Sequence, residues 1–220
     1  MIILAISTSS NICSVSLLED DKCIQELNIS DVKTHSENLM PLIDELLKTS
    51  NISLDNISLI ACDNGPGSFT GIRIGIATVK ALSEAKNIPV ITCSSLEALS
   101  YNIDNYTGHI CSIIDAKNNQ VYAGIFNSKH DLIGDYIADT FEKTIEMCNK
   151  YPDIIFVGSG TDTYKDVLRN YGLDNVLHAK NVGKCAFHKF SNLGITQSID
   201  NILPMYLKPS QAERMKATNG

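Results

Sequence analysis

The sequence lacks an excess of basic residues. Its 220 residues include 18 Lys and Arg against 25 Asp and Glu, a formal net charge of −7, and the isoelectric point is about 5.2. Contacts to the phosphates of a nucleic acid need clustered Lys and Arg. The composition therefore argues against a protein that binds nucleic acid on its own.

Long apolar runs are missing as well. No run approaches the roughly 20 residues that a membrane-spanning helix needs. Residues 1–6 carry no basic side chain, and the chain turns polar at Ser7, so we expect no signal peptide. The seven cysteines are odd in number and form no C-x-x-C pair, which favours reduced, mostly buried thiols in a cytoplasmic protein.

The motifs of common metal and hydrolase sites are absent too. The five histidines are at least ten residues apart, so the H-x-x-x-H and H-E-x-x-H spacings of helical zinc sites do not occur. The chain also has no G-x-S-x-G elbow and no G-x-x-x-x-G-K-[ST] phosphate loop. We predict no metal site, and a metal-dependent peptidase is the least favoured function.

What the sequence does contain is an order of elements that repeats once. Apolar periodicity predicts three strands, a helix, a strand and a second helix in each half. In the first half the strands are predicted at residues 2–6, 12–18, 23–29 and 57–62, the second helix at 70–86 and a further strand at 90–92. In the second half the strands are predicted at residues 110–114, 121–126, 132–137 and 154–157, with helices at 141–149 and 164–171 and an irregular stretch at 177–198.

This β-β-β-α-β-α repeat predicts an α/β fold of two lobes, residues 1–108 and 109–220, each a mixed sheet covered by helices. The charge follows the same division. Residues 1–108 carry 6 basic and 13 acidic side chains, and residues 109–220 carry 12 of each. The acidic first lobe is expected to dock with a protein partner rather than with a nucleic acid.

The two helices of the first half differ in their apolar faces. The first has one stripe, at the helical spacing i, i+3, i+4, i+7 and i+8, formed by Leu39, Leu42, Ile43, Leu46 and Leu47. Thr34 and Glu37 fit a capping box, and Pro41 fits the first turn if regular hydrogen bonding begins near Asn38. The second helix has two stripes, one formed by Ile72, Ile76, Val79 and Leu82, the other by Ile74, Ala77, Ala81 and Ala85. The first helix or a partner protein could cover the second stripe.

A glycine-rich loop between a strand and the second helix is the most informative segment. Its central residues are Gly65, Pro66, Gly67, Ser68, Phe69, Thr70, Gly71 and Arg73. Free N–H groups at the start of a helix suit an anion, so this loop is a candidate anion-binding site; a tight turn without a ligand is the alternative. Two weaker candidates lie in the second half. Residues 158–162 could contact a phosphate, and residues 115–117 could hold a charged pair near a cleft.

Several segments resemble the TsaB (YeaZ) family. They are residues 3–8 with 13–15, 35–43, the run GPGSFTGIRIG at 65–75, 88–90 with 95–99, 115–117 with 121–122, and 204–209. The resemblance implies an actin-like ASKHA fold of two lobes. It also implies a part in making threonylcarbamoyladenosine at position 37 of bacterial tRNA, as a non-catalytic relative that binds the TsaD transferase, with the ATPase TsaE in a higher complex.

Two positions depart from the family pattern and its catalytic relative. Ser7 stands where the family usually has an acidic residue, so a Mg-nucleotide would lose an anchor. Residues 93–97 contain no histidine, whereas the catalytic relative has paired metal-binding histidines there. Both departures favour a scaffold without a cofactor of its own. We expect a nucleotide only within the complex with TsaD and TsaE.

The resemblance leads to a specific hypothesis for the partner-binding surface. We expect the first two helices to contact TsaD through Leu39, Leu42, Ile43, Leu46, Leu47, Ile74, Ala77 and Ala81, and the same surface to form a homodimer when TsaD is absent. Contact with tRNA is expected to be indirect or weak. The alternative is an enzyme that binds or hydrolyses a nucleotide in its own right.

Overall fold

The computed structural model describes residues 1–30, 34–194 and 196–208. Pro209, the end of the C-terminal segment that resembles the family, lies outside these residues, as does the polar tail after it. The described residues form a mixed α/β structure with two sheets, which confirms the predicted fold class.

The first sheet has five strands in the order β3-β2-β1-β4-β5. Their bounds are β1 Ile2–Ser7, β2 Cys13–Glu19, β3 Lys22–Ile29, β4 Leu59–Asp63 and β5 Val90–Cys93. The first three strands are antiparallel, and β4 and β5 add in parallel next to β1. Strands β1 and β4 are buried almost throughout, as expected for parallel strands with both faces covered.

The second sheet repeats this arrangement with one strand fewer. Its order is β8-β7-β6-β9, with β6 His109–Asp115, β7 Gln120–Phe126, β8 Ile137–Thr140 and β9 Ile154–Val157. The third strand was predicted at residues 132–137 and actually begins at Ile137. Leu132 makes only an isolated bridge to Phe126, and a bend at Gly134, whose φ is 74°, separates it from β8.

Helices α1 (His35–Thr49) and α2 (Phe69–Lys86) cover one face of the first sheet. Thr34 is the N-cap residue of α1, but its side chain makes no capping hydrogen bond, so the predicted capping box is wrong. The helix begins at His35, and Pro41 lies inside it rather than in its first turn. The second helix starts one residue earlier than predicted.

The opposite face of the first sheet is covered by a helix that sequence analysis missed. Helix α6 (Ala179–Leu193) packs its small apolar residues on β1, β2, β4 and β5, within a segment predicted to be irregular. Gly183 permits the close approach, because a Cβ there would lie 2.3 Å from the Leu18 side chain. In sequence α6 belongs to the second half of the chain, whereas it packs on the sheet of the first half.

The described residues also form three shorter α-helices, α3 Ser95–Ser100, α4 Phe141–Cys148 and α5 Ser159–Tyr164, and two 3-10 helices, Leu54–Asn56 and Ile199–Asn201. The prediction of a helix at residues 164–171 is wrong. Gly158 has a φ of 107°, which lets α5 begin at the end of β9. Tyr171 forms a parallel bridge with Phe156 instead of continuing a helix.

Ion pairs join α6 to the acidic half of the chain. The Lys189 Nζ lies 2.6 Å from the Glu97 Oε2, and the His178 Nδ1 lies 3.2 Å from the Glu26 Oε2. The acidic charge counted along the sequence is therefore partly compensated where α6 packs. Within the described residues all seven cysteines are free thiols, and Cys23 is the exposed one.

None of the helices in the described part of the chain combines the length and apolar character required to cross a membrane.

Candidate functional site

A cleft of about 390 Å³ opens between the two sheets. The turn after β1 contributes Ser9, Ser10 and Asn11, and the equivalent region of the second sheet contributes Asp115 at the end of β6 and Ala116 and Lys117 after it. The lining is completed by residues that include Gly67 and Ser68 of the glycine-rich loop, and Ser159, Thr163 and Asn175. The repeated fold thus brings two equivalent hairpin turns to face each other.

The Asp63 carboxylate anchors the first-lobe wall of this cleft. Asp63 is the last residue of β4 and is fully buried. It accepts hydrogen bonds from the Thr8 N–H (3.2 Å), from the hydroxyls of Ser7 and Ser95 (3.2 Å each), and from the Ser9 hydroxyl. Burial raises the pKa of the Asp63 carboxyl, although the four hydrogen bonds oppose that effect. One carboxylate thereby fixes the ends of β1 and β5 to the end of β4.

Glycines let the glycine-rich loop and α2 lie directly against the turn after β1. A Cβ on Gly67 would lie 2.3 Å from the Ser9 carbonyl oxygen, and one on Gly71 would lie 1.9 Å from the Thr8 carbonyl oxygen. The Ser68 N–H donates to Ser9 O at 2.6 Å, and the Ser68 hydroxyl accepts the Gly71 N–H at 3.2 Å. These glycines therefore serve close backbone packing, and Ser68 is the N-cap of α2. Anion binding by this loop stays a prediction.

The C-terminal segment is fixed to the same loop. The Met205 N–H donates to Asn64 O at 2.7 Å. The rings of Phe69 and Tyr206 stack with centroids 4.6 Å apart. Arg73 lies over the Phe69 ring at 3.9 Å and donates from Nε to the Tyr206 hydroxyl at 2.9 Å. Two sequence segments more than 130 residues apart thus form one surface.

The second-lobe wall centres on Asp115. Its carboxylate accepts hydrogen bonds from the Lys117 N–H (2.8 Å), the Lys117 Nζ (2.9 Å) and the Thr163 hydroxyl (3.2 Å). Partial burial acts to raise the pKa of Asp115, but the hydrogen bonds from Lys117 outweigh it and the pKa is lowered. The charged pair predicted at residues 115–117 is therefore present at the cleft.

Comparison with known proteins identifies the family. A family model described as "TsaD: tRNA N6-adenosine threonylcarbamoyltransferase" matches residues 26–202. The Bacillus subtilis protein named "tRNA threonylcarbamoyladenosine biosynthesis protein TsaB" is 32% identical, over 97% of this chain and 96% of its own length. The chain belongs to the TsaB (YeaZ) family.

Solved structures agree with this assignment. YeaZ from Pseudomonas aeruginosa has a TM-score of 0.81 and 25% identity, covering 94% of this chain and 99% of its own. An activator of 2-hydroxyisocaproyl-CoA dehydratase from Clostridium difficile shares only 8% identity at a TM-score of 0.56, with 87% of this chain and 95% of that chain covered. It therefore shows the ASKHA-type fold alone.

The residues of this TsaB-family cleft fit a magnesium nucleotide poorly. The Ser7 hydroxyl donates to the Asp63 carboxylate at 3.2 Å and offers no negative charge to a metal ion. The oxygens of Asp63 are engaged by four donors, and Asp115 is paired with Lys117. Neither carboxylate is free to hold a hard cation without losing these bonds. Within the described residues no group of three or more His, Cys, Asp or Glu has a metal-binding arrangement.

The partner-binding residues predicted for the TsaB-family helices divide between core and surface. Leu39, Leu42, Ile43 and Leu46 are at most 4% exposed and belong to the core of this chain, so they support the helix rather than presenting a surface. Leu47 and Ile74 are half-buried, and Ala77 and Ala81 are exposed. Helix α1 therefore leaves Ala77 and Ala81 of the second stripe uncovered.

Sequence analysis missed two members of the site. Asp63 is not among the predicted site residues, and Ser95 belongs only to a segment that resembles the family. The available signal was an acidic residue ending a run of buried apolar residues, a placement that requires hydrogen-bonding partners. The partners themselves come from the end of β1 and from the start of α3, just after β5, and could not be found from spacing.

Proposed function

We propose that this chain is a non-catalytic scaffold or activator subunit in the synthesis of threonylcarbamoyladenosine at position 37 of tRNA. Its partner in this proposal is the TsaD transferase. Membership of a family whose relatives are named for this biosynthesis supports the pathway. The match to the TsaD family model supports a structural relationship with the proposed partner.

The exposed stripe on α2 is the observation that carries the proposal. Ala77 and Ala81 are exposed one turn apart, beside the half-buried Ile74. Small side chains let a second helix approach closely. Met40 on α1 adds an apolar side chain that is 49% exposed. A helix pair of the partner, packed across α1 and α2, would bury this surface.

The polar groups of the cleft support a role other than catalysis. Asp63 and Asp115 both serve hydrogen bonds within the chain. Among the described residues that line the cleft there is no histidine. In this proposal a nucleotide binds only within the assembled complex, TsaE joins the higher complex, and contact of this chain with tRNA is indirect or weak.

The test is a charge placed in the proposed interface. Ala77→Glu should weaken binding to purified TsaD by at least about 100-fold, because a carboxylate would be desolvated without a partner. Ala85→Glu is the graded control: Ala85 is exposed at the far end of the same stripe, about 12 Å along the helix from Ala77 and outside the predicted contact set, so this variant should weaken binding much less. Unchanged affinity of Ala77→Glu in a well-folded variant would refute the proposed surface.

The same surface is proposed to form a homodimer when TsaD is absent. Sedimentation equilibrium of the isolated chain should then give a dimer that Ala77→Glu dissociates. A monomer at every concentration would overturn this part of the proposal.

A nucleotide-hydrolysing enzyme is the competing function. Calorimetric titration of the isolated chain with Mg-ATP distinguishes the two, because the scaffold proposal predicts no saturable heat and no turnover. Tight binding with turnover would establish the enzyme instead. A tRNA modification assay with TsaD, with and without this chain, measures the activation directly.

A further inference from the structure

Two thiols in the second half of the chain lie close enough together to react with each other. The Cys111 Sγ and the Cys148 Sγ are 3.8 Å apart, although the residues are 37 positions apart in the sequence. Both belong to the same hydrophobic core cluster and are at most 2% exposed. The pair lies outside the cleft and away from the proposed partner surface on α1 and α2, so its chemistry does not depend on the proposed function.

Cys111 holds a fixed position in the second sheet. It lies in β6, where it pairs with Ile125 of β7 on one side and with Phe156 of β9 on the other. Core strands of this kind open only at free energies close to that of global unfolding. A movement that brings the two sulfurs together therefore has to come from Cys148.

Cys148 lies at the end of a helix that is easily opened. It is the last residue of α4, which has only eight residues, and so short a helix is stable only through its packing. Apart from Cys148, the buried residues of α4 are Phe141 and Thr144, both in its first half. The residues that follow, Asn149 and Lys150, are exposed. Fraying of the last turn of α4 therefore exposes Cys148 to solvent while the sheet stays intact.

The distance that separates the two sulfurs from a covalent bond is short. A disulfide has an S–S bond of about 2.0 Å, so the sulfurs must approach each other by roughly 1.8 Å. Rotation of each thiol about its Cα–Cβ bond supplies part of this movement, and the frayed end of α4 supplies the rest. We propose that Cys111 and Cys148 form an intramolecular disulfide when a peroxide oxidises the folded protein.

The oxidation takes place in two substitution steps. The Cys148 thiolate attacks one oxygen of hydrogen peroxide and the O–O bond breaks; the departing hydroxide takes up the thiol proton as water, and a sulfenic acid remains on Cys148. When α4 closes again, the Cys111 thiolate attacks the sulfenic sulfur, the S–O bond breaks, and the second hydroxide leaves with the Cys111 proton as water. The two sulfurs lose two electrons in total and the peroxide gains two.

The test is peptide mapping of the folded full chain after treatment with hydrogen peroxide. Cys23→Ser is the starting protein, because Cys23 is the exposed cysteine among the described residues and would otherwise link two molecules. After catalase has removed the peroxide, free thiols are blocked with N-ethylmaleimide. Digestion with trypsin and Glu-C separates Cys93 from Cys111, because Glu97 lies between them. We expect a cross-linked pair of peptides that contain Cys111 and Cys148, lighter by two hydrogens than the reduced peptides together and lost after reduction with dithiothreitol.

Two variants of the starting protein separate this pair from the other buried thiols. Cys148→Ser should abolish the cross-link. Cys93→Ser is the matched control, because Cys93 is also buried, at 1% exposure, and its thiol donates to the Val182 carbonyl oxygen at 3.7 Å; the Cys111–Cys148 cross-link should persist in this variant. Mapping of the starting protein identifies the linked residues even if a variant fails to fold. Full recovery of blocked thiols, oxidation of Cys148 to a sulfinic acid without a cross-link, or a disulfide that involves Cys185 instead would each overturn the proposal.

Discussion

The close contact between α2 and the turn after β1 gives a graded prediction for two glycines on one helix. A Cβ on Gly71 would lie 1.9 Å from the backbone oxygen of Thr8, whereas one on Gly75 would lie 2.4 Å from the Thr8 side-chain Oγ1. Ordinary contact begins near 3.4 Å. In Gly71→Ala the strand end or the helix must therefore move by about 1.5 Å, but in Gly75→Ala a hydroxyl can rotate.

The expected changes in unfolding free energy differ between Gly71→Ala and Gly75→Ala. Overpacking a core costs about 1–3 kcal/mol, and Ala is better than Gly inside a helix by about 1 kcal/mol. Because the obstacle at Gly71 is backbone, we expect Gly71→Ala to lose about 2 kcal/mol of unfolding free energy or more. In Gly75→Ala the rotating hydroxyl gives up its 2.8 Å hydrogen bond to Gly71 O, worth about 1 kcal/mol, so the net change should be close to zero.

The assay is urea denaturation of both variants with and without Thr8→Ala. Removing Oγ1 clears the obstacle at position 75 only. In the Thr8→Ala background, Gly75→Ala should become stabilising by about 1 kcal/mol, and Gly71→Ala should remain destabilising. Rescue of Gly71→Ala by Thr8→Ala, or a Gly71→Ala variant as stable as the wild type, would refute the described packing of α2.

Two further predictions concern other contacts. Tyr206→Ala loses both the Phe69 stack and the Arg73 hydrogen bond and should cost about 1–2 kcal/mol in urea denaturation; equal stability of Tyr206→Phe and Tyr206→Ala would contradict the stacking contribution. The Glu26 carboxylate raises the pKa of His178. This pair therefore stabilises the fold fully at pH values below the ordinary histidine pKa of about 6.5. The stabilisation is lost as the pH rises through the pKa of His178 in the folded protein. Urea titrations across that range should therefore show a weaker pH dependence in His178→Gln, and an unchanged profile would contradict it.

Local pattern was sufficient for most of the fold. Every strand except β8, and helices α2 and α4, lie within two residues of their predicted bounds at each end, because each has a clear apolar period or run. Helix α6 was missed because Val182, Cys185 and Ala186 are small and Gly183 interrupts them. Its burial depends on the shape of the sheet beneath it, which no local period records.

The candidate site was predicted less completely. The glycine-rich loop was located because Gly and Pro mark turns strongly. The sequence did not predict why this loop needs glycine. The Thr8 and Ser9 carbonyl groups that its glycines contact lie more than 55 residues earlier in the chain. The predicted partner-binding surface has eight residues on the first two helices. A hydrophobic stripe alone does not distinguish residues that pack in the core beneath a helix from residues that a partner could contact.

The sequence by itself determined the two-lobed α/β repeat, the family, and the segments that carry its motifs, because these depend on short-range periodicity and on local runs of residues. Only the tertiary structure decided that α6 packs on the acidic half, that Asp63 joins three strand ends, and that Tyr206 covers the glycine-rich loop. Each of these depends on contacts between residues more than 30 positions apart, and their energies arise from burial and hydrogen-bond geometry that exist only once the chain has folded.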